Sequence, residues 1–226
     1  MDTLNQPYPI AVLISGTGSN LQALIQAQQQ KTLNIDIVTV ISNEPQAKGL
    51  LHAQTANIPT HIINHRNYSN RADFDQKLQS ILDNYSLKLI VLAGFMRKLT
   101  PTFVHHFYGK LVNLHPALLP KFKGLNTFQR ALDAAETEHG STVHFVSPEL
   151  DAGPIITQAR FPILQHDTVD DLKSKTQYLE HRLLPHTLEW FAQGLVKLEA
   201  DQVYLKNHQT GPEGTDLTKI IRESSS

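Results

Sequence analysis

Asn113 and His115 stand two positions apart in the apolar run LVNLHPALLP (111–120), and Asp151 follows in ELDAGPI (149–155). Successive strand residues point to opposite faces, so a strand here projects the amide and the imidazole from one side. Pro116 disfavours helical geometry at His115, which ends the strand and aims the ring beyond it. Ala152, Gly153 and Pro154 supply turn chemistry that holds the Asp151 carboxylate near the start of a strand. Taken singly, each residue has an ordinary explanation as a hydrogen-bonded structural histidine or a solvated turn acid. Taken together, an amide donor, a titratable imidazole and a carboxylate at the C-terminal side of a parallel sheet suit acyl-type transfer to an amine. The tetrahedral intermediate needs a donor on its oxyanion, and the attacking and leaving nitrogens must exchange protons.

A second candidate lies in ISGTGSNLQAL (14–24), where Gly16, Thr17, Gly18, Ser19 and Asn20 join an apolar strand to a helix. Two glycines let the backbone approach a ligand while free helix N–H groups point outward, a geometry suited to phosphate. Leu21 stands where a dinucleotide fingerprint needs its third glycine, and no Lys follows as a Walker loop requires. On these residues alone a phosphate site and a plain tight turn capped by Ser19 or Asn20 both stay open.

The elements that position these groups alternate between short β-type runs and helical-period segments, the pattern of a mostly parallel sheet with helices on its faces. Strands are expected at 10–15, 35–42, 60–63, 88–94 and 110–115, with helices at 19–30 and 71–85. The second helix places Phe74, Leu78, Ile81, Leu82 and Tyr85 on one stripe. Beyond 115 the pattern predicts a loop with Pro120 and Gly124, a helix near 127–136, and strands at 141–147 and 154–162 that pair antiparallel. A long helix follows at 168–193, capped by Asp167 or Thr168 and kinked by Pro185, and the end RESSS reads as loose. With no repeat, linker or second hydrophobic core, the expected architecture is α/β. It is a single Rossmann-like domain over 1–226, a twisted, mostly parallel sheet with helices on both faces and a mixed C-terminal part.

Composition narrows the classes. The chain has 226 residues, 40% hydrophobic and 18% charged, ordinary for a globular domain. Its 20 basic and 21 acidic residues are interspersed, leaving no basic field for nucleic acid. Cysteine is absent, the start MDTLNQPY lacks the regions of a signal peptide, and no apolar run approaches bilayer length. A cytoplasmic protein with no nucleic-acid or membrane partner is expected.

The stretches LISGTGSNLQALI, VLAGFMRKLTP, LVNLHPALLPKFKG, HGSTVHFVSPELDAGPII and YLEHRLLP resemble, in order and separation, the folate-dependent phosphoribosylglycinamide formyltransferase family over roughly 9–195. HPALLP with a downstream DAGP marks the wider formyltetrahydrofolate-using superfamily, and SGTGSN narrows it to the glycinamide ribonucleotide branch. The resemblance implies that Asn113, His115 and Asp151 are catalytic. Asn113 would donate to the formyl oxygen, His115 would be held protonated by Asp151, and Asp151, through water, would take the proton from the attacking amine. It implies that Gly16, Thr17, Gly18, Ser19 and Asn20 hold the ribonucleotide phosphate and that Glu180 holds the ribose hydroxyls. The co-substrate 10-formyltetrahydrofolate would meet Arg71, Met96, Arg97, Lys98, Leu99 and Asn113, together with Ser147, Pro148, Glu149 and Leu150.

It further implies a phosphoribosyl-binding half at 9–115, a folate-side part at 116–205 and a tail at 206–226. The partners would be small-molecule substrates alone, no metal would be needed, and the chain would be a monomer or weak homodimer. As rivals, Arg71, Arg97 and Lys98 read as surface charges and Glu180 as half of a helix-face ion pair. Where many members read Tyr-Pro-Gly and then His-Thr-His, this chain has FKGLNTFQR, with Phe122, Lys123, Asn126 and Phe128. Any help from those histidines is therefore missing or replaced. His144 is expected to pack or hydrogen bond near the site without carrying protons. A deformylase is expected to carry an additional N-terminal domain, whereas the first strand here begins by residue 10. A methionyl-tRNA formyltransferase is expected to have a further C-terminal domain and a basic surface. Two other rivals are a noncatalytic phosphoribosyl-ligand sensor and a nicotinamide dehydrogenase, the latter disfavoured by the missing third glycine.

Overall fold

A computed structural model describes residues 6–223, with side chains through 221. In chain order the elements are β1 (Tyr8–Ile14), α1 (Ser19–Gln29), β2 (Ile35–Ser42), α2 (Gly49–Thr55), β3 (Thr60–Ile62), α3 (Arg71–Leu82), β4 (Leu89–Leu92), α4 (Pro101–His106) and β5 (Leu111–His115). They continue with α5 (Thr127–Asp133), β6 (Glu138–Phe145), β7 (Ile155–Pro162), α6 (Val169–Ala192), β8 (Val196–Glu199), β9 (Gln202–Leu205), β10 (His208–Gln209), β11 (Thr215–Asp216) and α7 (Thr218–Glu223).

The main sheet runs β11-β7-β6-β5-β4-β1-β2-β3, and β8 to β10 form a separate small sheet. Strands β1 to β5 pair parallel and β6–β7 antiparallel as expected, while β5–β6 is antiparallel as well, a pairing the sequence reading did not foresee. The order reverses at β1, so a crevice opens beyond the carboxyl ends of β1 and β4, the place where open α/β sheets bind ligands. Strand β1 shows why both faces are covered. Ile10, Val12 and Ile14 enter one apolar layer, with α1 and α6, and Ala11 and Leu13 enter the other, with α3 and α4. The core is thus two layers divided by the sheet, as helices on both faces require.

Several local details differ from expectation. Helix α3 ends at Leu82, so Tyr85 leaves the stripe and its hydroxyl meets His61 Nε2 at 2.8 Å. Thr168 caps α6 in a reciprocal box with Asp171, and the helix continues through Pro185 to Ala192. Asp167 instead pairs with Lys175. The stretch expected as a tail adds β11 to the sheet edge beside β7 and buries Leu217 and Ile221. Of the end expected to be loose, Arg222 and Glu223 complete α7, and 224–226 lie outside the described residues, as do 1–5 of the segment judged to lack a signal.

Candidate active site

Strand β5 presents Asn113 and His115 on one face, and its antiparallel partner β6 brings His144 opposite Asn113 and Thr142 opposite His115. The loop after β6 leaves the sheet level with Leu111, whose carbonyl accepts from Val146 N–H at 2.9 Å. The loop turns back to deliver Asp151 to the same face. Sequence reasoning placed this carboxylate at the carboxyl edge of the sheet, but the antiparallel sense of β6 starts its loop at the other end of β5. Asp151 has φ of 47°, a left-handed conformation that aspartate tolerates better than most residues.

The carboxylate joins the cluster. Its Oδ2 accepts from Gly124 N–H at 2.9 Å and lies 3.5 Å from His115 Nδ1, while Oδ1 accepts from Asn113 Nδ2 at 3.4 Å. His115 Nε2 is 3.0 Å from the Phe122 carbonyl, which can only accept, so this nitrogen carries a hydrogen. Both ring nitrogens of His115 therefore face acceptors. His144 is different: Nδ1–H donates to Phe145 O at 2.8 Å, leaving the Nε2 lone pair to accept from Asn113 Nδ2 at 3.1 Å. Burial holds the His144 imidazole down at about 4, so it is neutral at pH 7 and fixes which end of the Asn113 amide is the nitrogen.

Neutral buried histidines carry a stability signature. His139, stacked edge-on against Phe128 and Phe161, is likewise pushed down to about 4 by burial. Between pH 6.5 and about 4 the unfolded chain binds protons that these folded histidines refuse, so their contribution is present above 6.5 and is lost on acidification. Each can remove up to about 3 kcal/mol by pH 4. Glu180, raised by burial, acts with the opposite sign, its contribution being lost as pH rises through the carboxylate range. Urea midpoints should therefore fall steadily between pH 7 and 4.5, and a flat profile would contradict the neutral assignment.

At the crevice, Gly18 has φ of 73° and begins α1 without a side-chain cap. A Cβ on Gly18 would sit 2.5 Å from Gly49 Cα, so two glycines are needed where the loop crosses the start of α2. Gly49 N–H donates to Gly16 O at 3.0 Å, fixing the loop from the same side. Asn20 does not point its amide outward: Nδ2 donates to Glu180 Oε2 at 2.9 Å, and Ser141 Oγ donates to Oε1 at 2.9 Å. Burial raises the Glu180 carboxyl against these two bonds. The loop and the long helix are thereby joined through side chains far apart in sequence, and no local motif announces Ser141.

Arg97, Lys98, Leu99, Ser147, Pro148, Glu149 and Leu150 line one narrow cavity of about 80 Å³ together with Asn113, His144 and Asp151. Leu92, Phe95, Val104 and Val146 give it apolar walls, fitting the edge of a flat heterocycle. Met96 is exposed instead, tied through its N–H to Ser15 Oγ at 2.7 Å, and Arg71 is exposed at the start of α3 and lines no part of this cavity. A wider cleft of about 920 Å³ shares Val104, the stretch Val146 to Glu149 and Asp151 with the narrow one. The backbone partners Phe122 O and Gly124 N–H were missed by sequence reasoning, since a main-chain atom leaves no trace in residue type.

Comparison with known proteins accords with this geometry. Residues 8–188 match the family model described as formyl transferase. The chain is 43% identical to phosphoribosylglycinamide formyltransferase of Haemophilus influenzae, covering 87% of this chain and 92% of the relative. It is 42% identical to that of Escherichia coli, covering 91% and 97%. The solved phosphoribosylglycinamide formyltransferase of Coxiella burnetii superposes with a TM-score of 0.90 at 52% identity, over 93% of this chain and 99% of that one. Matched by these relatives over 87% to 93% of its length, the chain belongs to the phosphoribosylglycinamide formyltransferase family.

Proposed function

We propose that the chain transfers the formyl group of 10-formyltetrahydrofolate to the glycinamide amine of 5′-phosphoribosylglycinamide. The products are the formylglycinamide ribonucleotide and tetrahydrofolate, a step of de novo purine (IMP) synthesis. The observation that carries the reading is the convergence of Asn113, His115 and Asp151, of which Asn113 and Asp151 line a narrow cavity with apolar walls while His115 is buried beside Asp151. The formyl donor enters that cavity with its carbonyl towards Asn113 Nδ2. Because the cavity is smaller than the roughly 300–1,000 Å³ usual for ligand pockets, the stretch 147–150 moves outward to admit the ring while Asp151 keeps its contacts with His115 and Gly124. The ribonucleotide lies with its phosphate on Gly16 to Asn20 and its ribose towards Glu180, with Arg71 and Met96 meeting the outer part of the folate.

The amine nitrogen attacks the formyl carbon, and the carbonyl electron pair moves to oxygen. Asn113 Nδ2 keeps one hydrogen on His144 and turns the other from its long 3.4 Å contact with Asp151 Oδ1 to the resulting oxyanion, whose charge His115 shares. Asp151, through a water, accepts the proton that the attacking nitrogen releases. Collapse of the intermediate breaks the bond between the formyl carbon and the folate nitrogen, and that proton is delivered to the departing nitrogen. No metal enters this sequence. A cytoplasmic setting and a monomer or weak homodimer complete the reading, consistent with the described helices, none of which is long and apolar enough to cross a membrane.

The test is to mix the protein with glycinamide ribonucleotide and 10-formyltetrahydrofolate and to follow tetrahydrofolate release with and without the ribonucleotide. Release that depends on the ribonucleotide and yields formylated product is expected. Release without it would mark a deformylase, and no release from well-folded protein would mark a noncatalytic binder.

A further inference from the structure

Of three consecutive residues in the loop after β5, two touch candidate catalytic groups and the third touches the loop that carries one of them. Phe122 O accepts from His115 Nε2–H at 3.0 Å, and Gly124 N–H donates to Asp151 Oδ2 at 2.9 Å. Between them Lys123 Nζ reaches Glu149 at 3.0 Å, on the loop that carries Asp151. Two of the three contacts are main-chain atoms, so their placement is set by the loop conformation and by no particular side chain.

That conformation is unfavourable by itself. Phe122, Gly124 and Asn126 have φ of 55°, 81° and 57°, and only the glycine adopts such values freely. A non-glycine residue held there costs on the order of 1–3 kcal/mol unless its surroundings over-determine it. Arg130, in the first turn of α5, is the outside support. Its Nη1 donates to Lys123 O at 2.6 Å and to Leu125 O at 3.3 Å, and the guanidinium carbon lies 5.5 Å from the Phe122 ring centre. Apart from His115 and Asp151, it is the only side chain among the described residues bonded to the backbone of 122–125. One guanidinium nitrogen bridges both carbonyls that flank Gly124.

We propose that Arg130 is a positioning residue for formyl transfer. By clamping the Lys123 and Leu125 carbonyls it keeps Phe122 O against the His115 ring and Gly124 N–H against the Asp151 carboxylate, so both groups meet the reacting atoms in one orientation. This rests on the formyl-transfer reading above. Arg130 itself touches no reacting atom, and the chain's departure from the Tyr-Pro-Gly pattern falls on the residues it holds.

The experiment compares Arg130→Ala and Arg130→Lys with the unmodified chain, varying each substrate in turn. Arg130→Ala is expected to lower kcat by about tenfold, short of the roughly hundredfold that a full 1 Å misplacement costs. KM for both substrates should stay within about twofold, the pattern of an interaction realised in the transition state. Arg130→Lys, whose ammonium can reach one carbonyl, should recover part of kcat. An unchanged kcat in Arg130→Ala, or a lysine variant no better than alanine, would overturn the proposal. Hydrogen exchange of the Gly124 amide is read without substrate: it should quicken in Arg130→Ala, and unchanged exchange would overturn the clamp. If the unmodified chain transfers no formyl group, that control rejects the formyl-transfer reading itself, while the amide still reports whether Arg130 holds the loop.

Discussion

Asp151→Asn is expected to lower kcat by roughly 10²–10⁴-fold, the range that a positioned general base contributes, while the fold and the KM for both substrates change little. The asparagine oxygen can still accept from Gly124 N–H, at the 2.9 Å of the present bond, so the loop keeps its anchor. Its amide nitrogen then faces Asn113 Nδ2 where Oδ1 now accepts at 3.4 Å, a donor against a donor that adds a small local cost. What the substitution removes is the carboxylate that, alone among the described residues, faces His115 Nδ1, together with the acceptor for the amine proton. Steady-state kinetics with a parallel thermal melt separate the two effects. Near-normal turnover in a well-folded variant would sink the proton path through Asp151.

Gly153→Ala should act on stability with comparable force. A Cβ there would lie 1.8 Å from Phe145 O and 2.8 Å from the carbonyl carbon. The carbonyl cannot retreat easily, because Phe145 N–H donates to Pro154 O at 2.9 Å and the buried Phe145 ring packs edge-on against Phe191 at 5.8 Å. Overpacking of this kind costs about 3 kcal/mol or somewhat more, which for a chain of this size lowers Tm by roughly 10 °C. Gly16→Ala is the matched control, since a Cβ at Gly16 meets nothing within 4 Å and its melt should stay close to that of the unmodified chain. Equal melting of the two variants would show that the β6 end and the Asp151 loop are not in the tight contact described.

The parts of the site that were legible are those governed by short-range rules. Strand periodicity places Asn113 beside His115 whatever the rest of the chain does, and Ala152, Gly153 and Pro154 mark the turn that bears Asp151. Gly16 and Gly18 mark a close turn after β1, yet the reason Gly18 must be glycine is Gly49, distant in sequence, and no local pattern carries that. Glu180 was readable as a polar residue on a long helix; its partners Asn20 and Ser141 come from two other elements. The short helices α2 and α4 fall below the length at which an apolar stripe can be told from chance. The β8–β9 hairpin turns through Ala200 and Asp201, with φ of 49° and 59°, positions where Asn-Gly would have been a signal and Ala-Asp is not. For the same reason residues 206–221 read as a tail, although Leu217 and Ile221 close the core.

The antiparallel ladder between β5 and β6 makes the site a seam between two cooperative units. The pair β6–β7 closes over a short connection, whereas β1 to β5 are joined by long crossovers, so the two differ in how readily they open. Breathing of the β6–β7 unit carries His144 and Asp151 away from Asn113 and His115 together, while Gly16 to Asn20 stay with β1 in the middle of the sheet. A ligand bound across the ladder therefore staples the two units, and its occupancy slows the escape of the amide hydrogens of Val143, His144 and Phe145.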